Sequence, residues 1–201
     1  MSAVGFTSAA ADLSVRCQPG RAGPRLTFPY VLENHGAADL FVMDAIALPG
    51  PDGAAMIADD QAVVIRLGPG GDVELGKFPT PMPPDRRTAQ PVTPLARRMP
   101  PGARLECALA VPLPLAETSP YFADLQLRQY EMIDISAVVF TIGYWRVGED
   151  GLAVTPADGL PELWHVATRG KLRGVHVARQ RFPVKGLQLF KRLDAFPRPG
   201  A

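Results

Sequence analysis

The sequence predicts an all-β protein, an antiparallel β-sandwich with a Pro-rich loop and a basic C-terminal extension packed on it. Three observations support this fold class. The 201 residues include 22 prolines and 19 glycines, too many to fit between long helices. These residues separate short runs in which apolar and polar side chains alternate, the period of a β-strand. Hydrophobic residues make up 47% of the chain, enough to build a core, which excludes wholesale disorder.

Five short strands are expected in the first 80 residues, separated by turns rich in glycine, proline and aspartate. The first run illustrates the pattern, because Leu13, Val15 and Cys17 share one face and polar residues share the other. Asn34 and Gly36 both tolerate positive φ, so the second and third runs are expected to form one hairpin. The five runs span residues 12–18, 25–33, 39–46, 62–67 and 72–78.

Residues 26–44 contain an alternating strand, a turn from Asn34 to Gly36 and a second strand. This arrangement resembles a hairpin of the immunoglobulin-like and fibronectin-like sandwiches. The resemblance covers under a tenth of the chain and implies a fold without a function. The expected architecture is an immunoglobulin-like β-sandwich over residues 1–150, with a basic extension over residues 151–201 docked on it.

The clearest strand of the second half is expected over residues 104–113. Its odd-numbered positions, from Leu105 to Leu113, are all apolar, which is nearly strict period two. A short helix is expected at residues 121–130, with Leu125 and Leu127 among its apolar anchors.

A further strand, over residues 136–147, is apolar on both faces. Phe140 and Tyr144 lie on one face and Trp145 lies on the other. Strands of this kind are covered on both sides. We therefore expect residues 152–201 to pack on the second face, and we expect Phe140 and Tyr144 to be shielded from solvent.

Charge is distributed unevenly, although the net charge is only +1. Residues 161–201 hold nine of the 21 lysines and arginines but two of the 20 acids, so this segment carries +7 and the rest carries −6. Aromatic residues such as Trp164 and Phe182 are interleaved with these cations. The pattern suits nucleic-acid contact with base stacking, contact with an anionic membrane, or an extension folded back on an acidic body.

Residues 79–101 hold eight of the 22 prolines and two arginine pairs. We expect an extended loop with polyproline-II character there. The P-x-x-P spacing at residues 91–94 allows either a docking motif or a stiff connection between strands. Cations of the loop and the extension form the candidate interaction surface. They are Arg86, Arg87, Arg97, Arg98, Arg169, Lys171, Arg173, Arg179, Arg181, Lys191 and Arg192.

The sequence nominates no catalytic, cofactor or metal site. Residues 71–77 match the glycine and lysine spacing of a phosphate-binding loop, but the prolines that follow forbid the helix that such a loop requires. His165 and His176 are eleven residues apart, without a cysteine at metal-ligand spacing. Cys17 and Cys107 each fall on an apolar strand face, where reduced core thiols are expected.

The leading functional hypothesis is a non-catalytic protein-interaction or assembly module whose partner, or second copy, contacts the loop and the extension. One alternative is a nucleic-acid-binding protein that uses the C-terminal cations. The other is a small-molecule-binding or hydrolytic sandwich with a site at the strand ends. The first 14 residues have no signal-peptide pattern and no apolar run is long enough to span a membrane, so a cytoplasmic location is expected.

Overall fold

A computed structural model describes the protein as two β-sheets that pack face to face. It describes residues 6–8, 12–49, 56–80, 94–121, 130–149, 151–168 and 174–193. Across these ranges there is no α-helix, and no helix long and apolar enough to cross a membrane. The strands are β1 (Phe6–Ser8), β2 (Leu13–Cys17), β3 (Gly20–Ala22), β4 (Arg25–Asn34), β5 (Leu40–Pro49), β6 (Met56–Asp59), β7 (Val64–Leu67), β8 (Val73–Lys77), β9 (Leu95–Met99), β10 (Arg104–Pro112), β11 (Leu115–Ala116), β12 (Tyr130–Arg146), β13 (Leu152–Pro156), β14 (Leu163–Thr168) and β15 (His176–Arg192).

The smaller sheet has four strands in the order β10–β4–β2, with β3 also paired to β4. The larger sheet has eleven strands and follows the order β1–β15–β12–β5–β9–β14–β13, from which four short strands branch. Most neighbouring strands are antiparallel, but β8 is parallel to β12 and β11 is parallel to β15. The predicted all-β class is confirmed, with one mixed sheet and one antiparallel sheet.

The main core lies between the two sheets. The smaller sheet contributes Leu13 of β2 and Phe28 and Tyr30 of β4, and all three side chains are buried. From the larger sheet, Phe140 stacks on Phe28, with ring centroids 5.5 Å apart, and lies 5.0 Å from the ring of Tyr30. Phe140 and Tyr144 are completely buried, which confirms that this face of β12 is shielded from solvent.

The opposite face of β12 is covered as well. Trp145 is buried in a second apolar cluster that includes Phe78, with Trp164 of β14 packed against it. The chain just after β8 crosses directly over Gly143, so a Cβ at that position would lie 2.9 Å from Cδ of Pro79. Residues of β14 therefore contribute to this cover, together with a crossing segment after β8 that the sequence did not predict.

Residues 176–192 do not pack on a sheet face, which corrects the expected placement of this part of the basic extension. They form β15, which lies beside β12 in the same sheet and pairs with it from Tyr130 opposite Arg192 to Tyr144 opposite His176. The inward side chains of β15, including Phe182, are buried in the main core. The main-chain groups along this edge of β12 thereby gain hydrogen-bond partners, which a packed extension would not supply.

The predicted hairpin over residues 25–46 is wrong, because β4 and β5 belong to different sheets. The turn itself is present: the main-chain N–H of Gly36 donates to Oδ1 of Asn34 at 2.9 Å. Asn34 is buried and donates from Nδ2 to the carbonyl of Met99 at 2.9 Å. Crossing between sheets lets the apolar faces of β4 and β5 meet in one core, whereas a hairpin would leave them side by side.

Part of the predicted proline-rich loop is also wrong. Residues 95–99 form β9, between β5 and β14, and Leu95 and Met99 are buried. Arg97 and Arg98 therefore lie on a strand and not on a loop. Residues 81–93, with Arg86 and Arg87, lie outside the described residues, as do residues 122–129 of the expected helix.

Candidate functional site

The cations of β15 that the sequence placed on an interaction surface face acidic partners from other strands. Arg179 lies 3.1 Å from Glu74, a buried carboxylate that also pairs with Arg66. Arg181 donates to both carboxylate oxygens of Asp72, at 2.6 and 3.0 Å. Both arginines are themselves exposed, so water weakens their attraction to the carboxylates and the pairs contribute little to folding. Their main effect is to offset the positive charge of the segment.

The other predicted cations that the structure describes do not join these two in a single patch. Lys191 pairs with Glu131 at 2.8 Å near the other end of β15, and the side chain of Arg192 is buried. Arg97 and Arg98 lie on β9, which β12 and β5 separate from β15 in the sheet order. Arg97 pairs with Asp44 and Glu162, and Arg98 pairs with Asp39. Outside the described residues lie Arg86, Arg87, Arg169, Lys171 and Arg173.

A buried ion pair marks the point where the larger sheet divides. One edge of β12 pairs with β8 over residues 138–142 and then with β5 over residues 144–146. Two branches of the sheet therefore begin at this edge, one with β8 and the other with β5. At the division, a β-bulge at Asp44 interrupts the pairing of β5 with β9. Lys77, 2% exposed, donates to the carbonyl of Asp44, and its Nζ lies 3.6 Å from Oδ1 of the same residue. Lys77 thus satisfies a carbonyl at the bulge and joins the two branches.

The two cysteines flank Tyr30 on neighbouring strands of the smaller sheet. Cys17 and Cys107 are both register partners of Tyr30, so they lie two strands apart, about 10 Å. That separation exceeds the reach of a disulfide, and both thiols are free. Burial raises the pKa of Cys17 from 9.0 to about 12. Burial also raises the pKa of Cys107, and the charge of Asp44 raises it further.

These shifts predict a loss of stability in alkaline solution. Unfolded Cys17 loses its proton near pH 9 whereas the folded thiol keeps it to about pH 12, so ionisation favours the unfolded chain as the pH rises through this window. The contribution of Cys17 is a loss of about 1 kcal/mol at pH 10 and about 3 kcal/mol at pH 11. Urea unfolding of the native protein and of Cys17→Ala at pH 8, 10 and 11 measures it. The free energy of unfolding of the native protein, relative to that of Cys17→Ala, should fall by these amounts as the pH rises from 8. Equal losses in both proteins would contradict the assignment.

A serine and a histidine approach each other on the outer face of the smaller sheet. Oγ of Ser14 lies 2.8 Å from Nε2 of His35, and the carboxylate of Glu33 lies 3.5 Å from the same nitrogen. In a catalytic Ser-His-acid triad the serine and the acid contact opposite ring nitrogens. These three residues therefore lack the geometry that activates a serine nucleophile.

A second polar cluster lies at the ends of β12 and β15. Oε1 of Glu149 lies 2.6 Å from Nε2 of His176, whose ring stacks on Tyr144 with centroids 5.2 Å apart. Next to them, Arg146 pairs with Asp12. Among the described residues, no hydrogen-bond partner is present for the buried Tyr144 hydroxyl or for the buried second carboxylate oxygen of Glu149. The sequence does not reveal this cluster, because its members come from parts of the chain that are distant in sequence.

In the part of the chain that the structure describes, the smaller sheet has an open edge at β10. At both ends of β10, main-chain groups form hydrogen bonds with the chain of β4. The N–H of Asn34 donates to the carbonyl of Ala103 at 3.0 Å, and the N–H of Leu113 donates to the carbonyl of Pro24 at 2.8 Å. The direction of the main-chain N–H and C=O groups alternates from one residue of a strand to the next. Even-numbered residues of β10 therefore point these groups away from β4. Within the described part of the chain, β10 pairs with no strand other than β4.

Two side chains occupy hydrogen-bonding positions along this edge. Nε2 of Gln61 donates to the carbonyl of Ala108 at 3.3 Å, and a guanidinium nitrogen of Arg25 donates to the carbonyl of Ala110 at 2.7 Å. Both side chains belong to exposed residues. They supply donors where a neighbouring strand would supply main-chain N–H groups.

The apolar side chains in the first half of β10 are less well covered than those at the opposite edge of the sheet, although Leu109 and Val111 further along the strand are buried. Leu105 and Cys107 are only partly buried, although they face the core. Leu13 and Val15 of β2 are buried to 0% and 1% exposure, because β15 lies against that edge. Within the described residues, the core between the two sheets is therefore closed beside β2 and open beside β10.

A cleft of about 740 Å³ crosses the middle of the smaller sheet from β10 to the break between β2 and β3. Its walls combine apolar and polar groups with both thiols. The lining residues are Arg16, Cys17, Gln18, Pro19, Pro29, Tyr30, Val31, Glu106, Cys107, Gln180 and Phe182. Its volume lies in the range of small-ligand sites, about 300–1,000 Å³.

Comparison with known proteins identified no relative. No family model, no curated protein and no solved structure matches this chain. Function therefore has to be inferred from the chain's own geometry.

Proposed function

We propose that this protein is a non-catalytic protein-interaction module that binds its partner along β10. The open edge of this strand supports the proposal. Outward main-chain groups of an edge strand bind extended polypeptides by adding a strand, and side chains of alternate residues provide specificity. Here the partly buried Leu105 and Cys107 would contact the inward side chains of such a strand.

The two thiols of the smaller sheet favour binding over catalysis. A nucleophilic cysteine needs a lowered pKa so that its thiolate is available near neutral pH. Burial raises the pKa of Cys17 to about 12, and burial raises that of Cys107 as well. Both cysteines are therefore suited to packing and contact.

Site-specific photo-crosslinking tests the proposal. A photoreactive amino acid at Glu106, which is exposed on β10, is expected to form a discrete adduct with a partner polypeptide, whereas the same group at Arg16, exposed on β2, is not. The decisive comparison uses Ala108→Pro. This substitution removes an outward N–H and leaves the ladder to β4 intact. It is expected to abolish the Glu106 adduct.

The controls separate a lost binding edge from a lost fold. Circular dichroism and thermal unfolding must show that Ala108→Pro remains folded, and Ala108→Ser, which keeps the N–H, should retain the adduct. An adduct that persists in folded Ala108→Pro, or that forms equally from Glu106 and Arg16, would contradict the proposal.

A small-molecule-binding function is the second candidate, and the cleft across the smaller sheet favours it. Ligand-observed NMR with a fragment library would test this function directly. Binding that disappears in Val31→Trp, which would fill the cleft floor, would support it. Fragment binding that is unchanged in that variant would exclude the cleft.

A further inference from the structure

We infer that the polypeptide that binds β10 is a second copy of this chain, paired antiparallel about a two-fold axis at Cys107. This inference rests on the proposed function, since it identifies the partner of the same edge. Isologous pairing of this kind requires that one edge be complementary to itself. The residues of β10 provide three separate reasons to expect that.

The first reason is the main chain. A two-fold axis at Cys107 places Glu106 opposite Ala108 of the second copy, and Arg104 opposite its Ala110. All four residues direct their N–H and C=O groups outward, so each can take part in the new ladder. Moving the axis by one residue to Ala108 would bring Pro112, which has no N–H, opposite Arg104.

The second reason is charge. With the axis at Cys107, the two charged residues of the strand, Arg104 and Glu106, each face an alanine of the second copy. With the axis at Glu106, the two glutamates would face each other, and like charges directly opposite destabilise a strand pair. Arg104 already pairs with Glu106 in the same chain at 2.7 Å, and pairing about Cys107 leaves that contact undisturbed.

The third reason is the inward face. Pairing about Cys107 places Cys107 next to its own copy and places Leu105 next to Leu109 of the second copy. Cys107 and Leu105 are the partly buried core residues of this edge, so the second strand would cover them. Inward residues lie in non-hydrogen-bonded pairs, whose Cα atoms are about 4.5 Å apart.

The two side chains that now donate to the β10 edge can be replaced by main-chain N–H groups of the second copy without loss of a hydrogen bond. The carbonyls of Ala108 and Ala110 accept from Gln61 and Arg25. In the pair, N–H groups of Glu106 and Arg104 of the second copy would take these positions. Both capping residues are exposed, so their side chains can return to water.

Two substitutions at one position test the register. Ala108→Glu would place a second carboxylate opposite Glu106 of the other copy, and Ala108→Lys would place an ammonium there. Each contact occurs twice in the pair, so Ala108→Glu is expected to weaken self-association about tenfold and Ala108→Lys to maintain or strengthen it. Sedimentation velocity over a concentration series of the full chain measures the dissociation constants. Equal effects of the two substitutions would overturn the proposed register.

Crosslinking provides an independent readout. In Cys17→Ala, mild oxidation is expected to join two chains through Cys107, because the paired cysteines would meet the distance needed for a disulfide. Absence of that product in an associating protein would overturn the inference. So would a protein that sediments as a monomer at every concentration. If a monomer still forms the Glu106 photo-adduct that Ala108→Pro abolishes, the partner is another polypeptide and only the self-pairing fails. A monomer without that adduct overturns the proposed function too.

Discussion

Truncation of the chain after Asp158 is expected to abolish folding. It removes β14 and β15, and with β15 the hydrogen-bond partner of β12 along one whole edge. It also removes Phe182, Leu187 and Leu189 from the main core. Burial of each large apolar side chain contributes about 1.5–3 kcal/mol, so the three together contribute about 5–9 kcal/mol. Total stability of a domain is about 5–15 kcal/mol, and little would remain.

The measurement is far-UV circular dichroism with urea unfolding, beside a matched truncation after Leu193. The shorter deletion leaves every described strand in place and should unfold with the midpoint of the full chain. The fragment that ends at Asp158 should be insoluble or lack a cooperative transition. A soluble Asp158 fragment that unfolds cooperatively would show that β15 is not integral to the fold. Loss of binding on this truncation would therefore report unfolding, and would say nothing of whether the basic residues bind a partner.

Gly76→Ala is expected to be the most damaging single substitution. Gly76 has φ of +150°, a conformation that L side chains rarely adopt, and it lies opposite Thr141 in the parallel β8–β12 pair. A Cβ at this position would lie 1.9 Å from the carbonyl oxygen of Thr141. Because a backbone atom cannot move aside as a side chain can, the strand pair must separate. We expect a loss of about 4–5 kcal/mol or more, at the upper limit for point substitutions.

Gly23→Ala is the control, because Gly23 also has positive φ, +57°, but a Cβ added there would have no atom within 4 Å. It carries the conformational penalty without the clash, about 1–2 kcal/mol. Urea unfolding of both variants compares the two effects. Similar midpoints for Gly76→Ala and Gly23→Ala would mean that β8 and β12 are not held in close contact at Thr141.

Local patterns predict strands well wherever one face is buried. Leu13, Val15 and Cys17 alternate with polar residues because β2 has the core on one side and water on the other. Alternation fails for β15, where Gln180 occupies an inward position between Ala178 and Phe182. Gln180 lies there because its side-chain oxygen accepts a hydrogen bond from the main-chain N–H of Cys17 at 2.7 Å. This partner is 163 residues away, and no local pattern contains it.

The topology and the candidate site cannot be predicted from the sequence, and the physical reason is the same for both. The turn after Asn34 is visible in the sequence, but turn residues specify a change of direction and not which sheet the next strand joins. The open edge at β10 depends on which strands become neighbours, a property set by contacts distant in sequence. The strand itself is evident from its alternation.

The pairing of β12 with β15 also constrains when the protein can fold during its synthesis. Residues 130–146 leave the ribosome before their partner, residues 176–192, has been made. The main core therefore stays incomplete until residue 192 has emerged. Such late, non-local pairing slows folding and exposes an unpaired edge to aggregation.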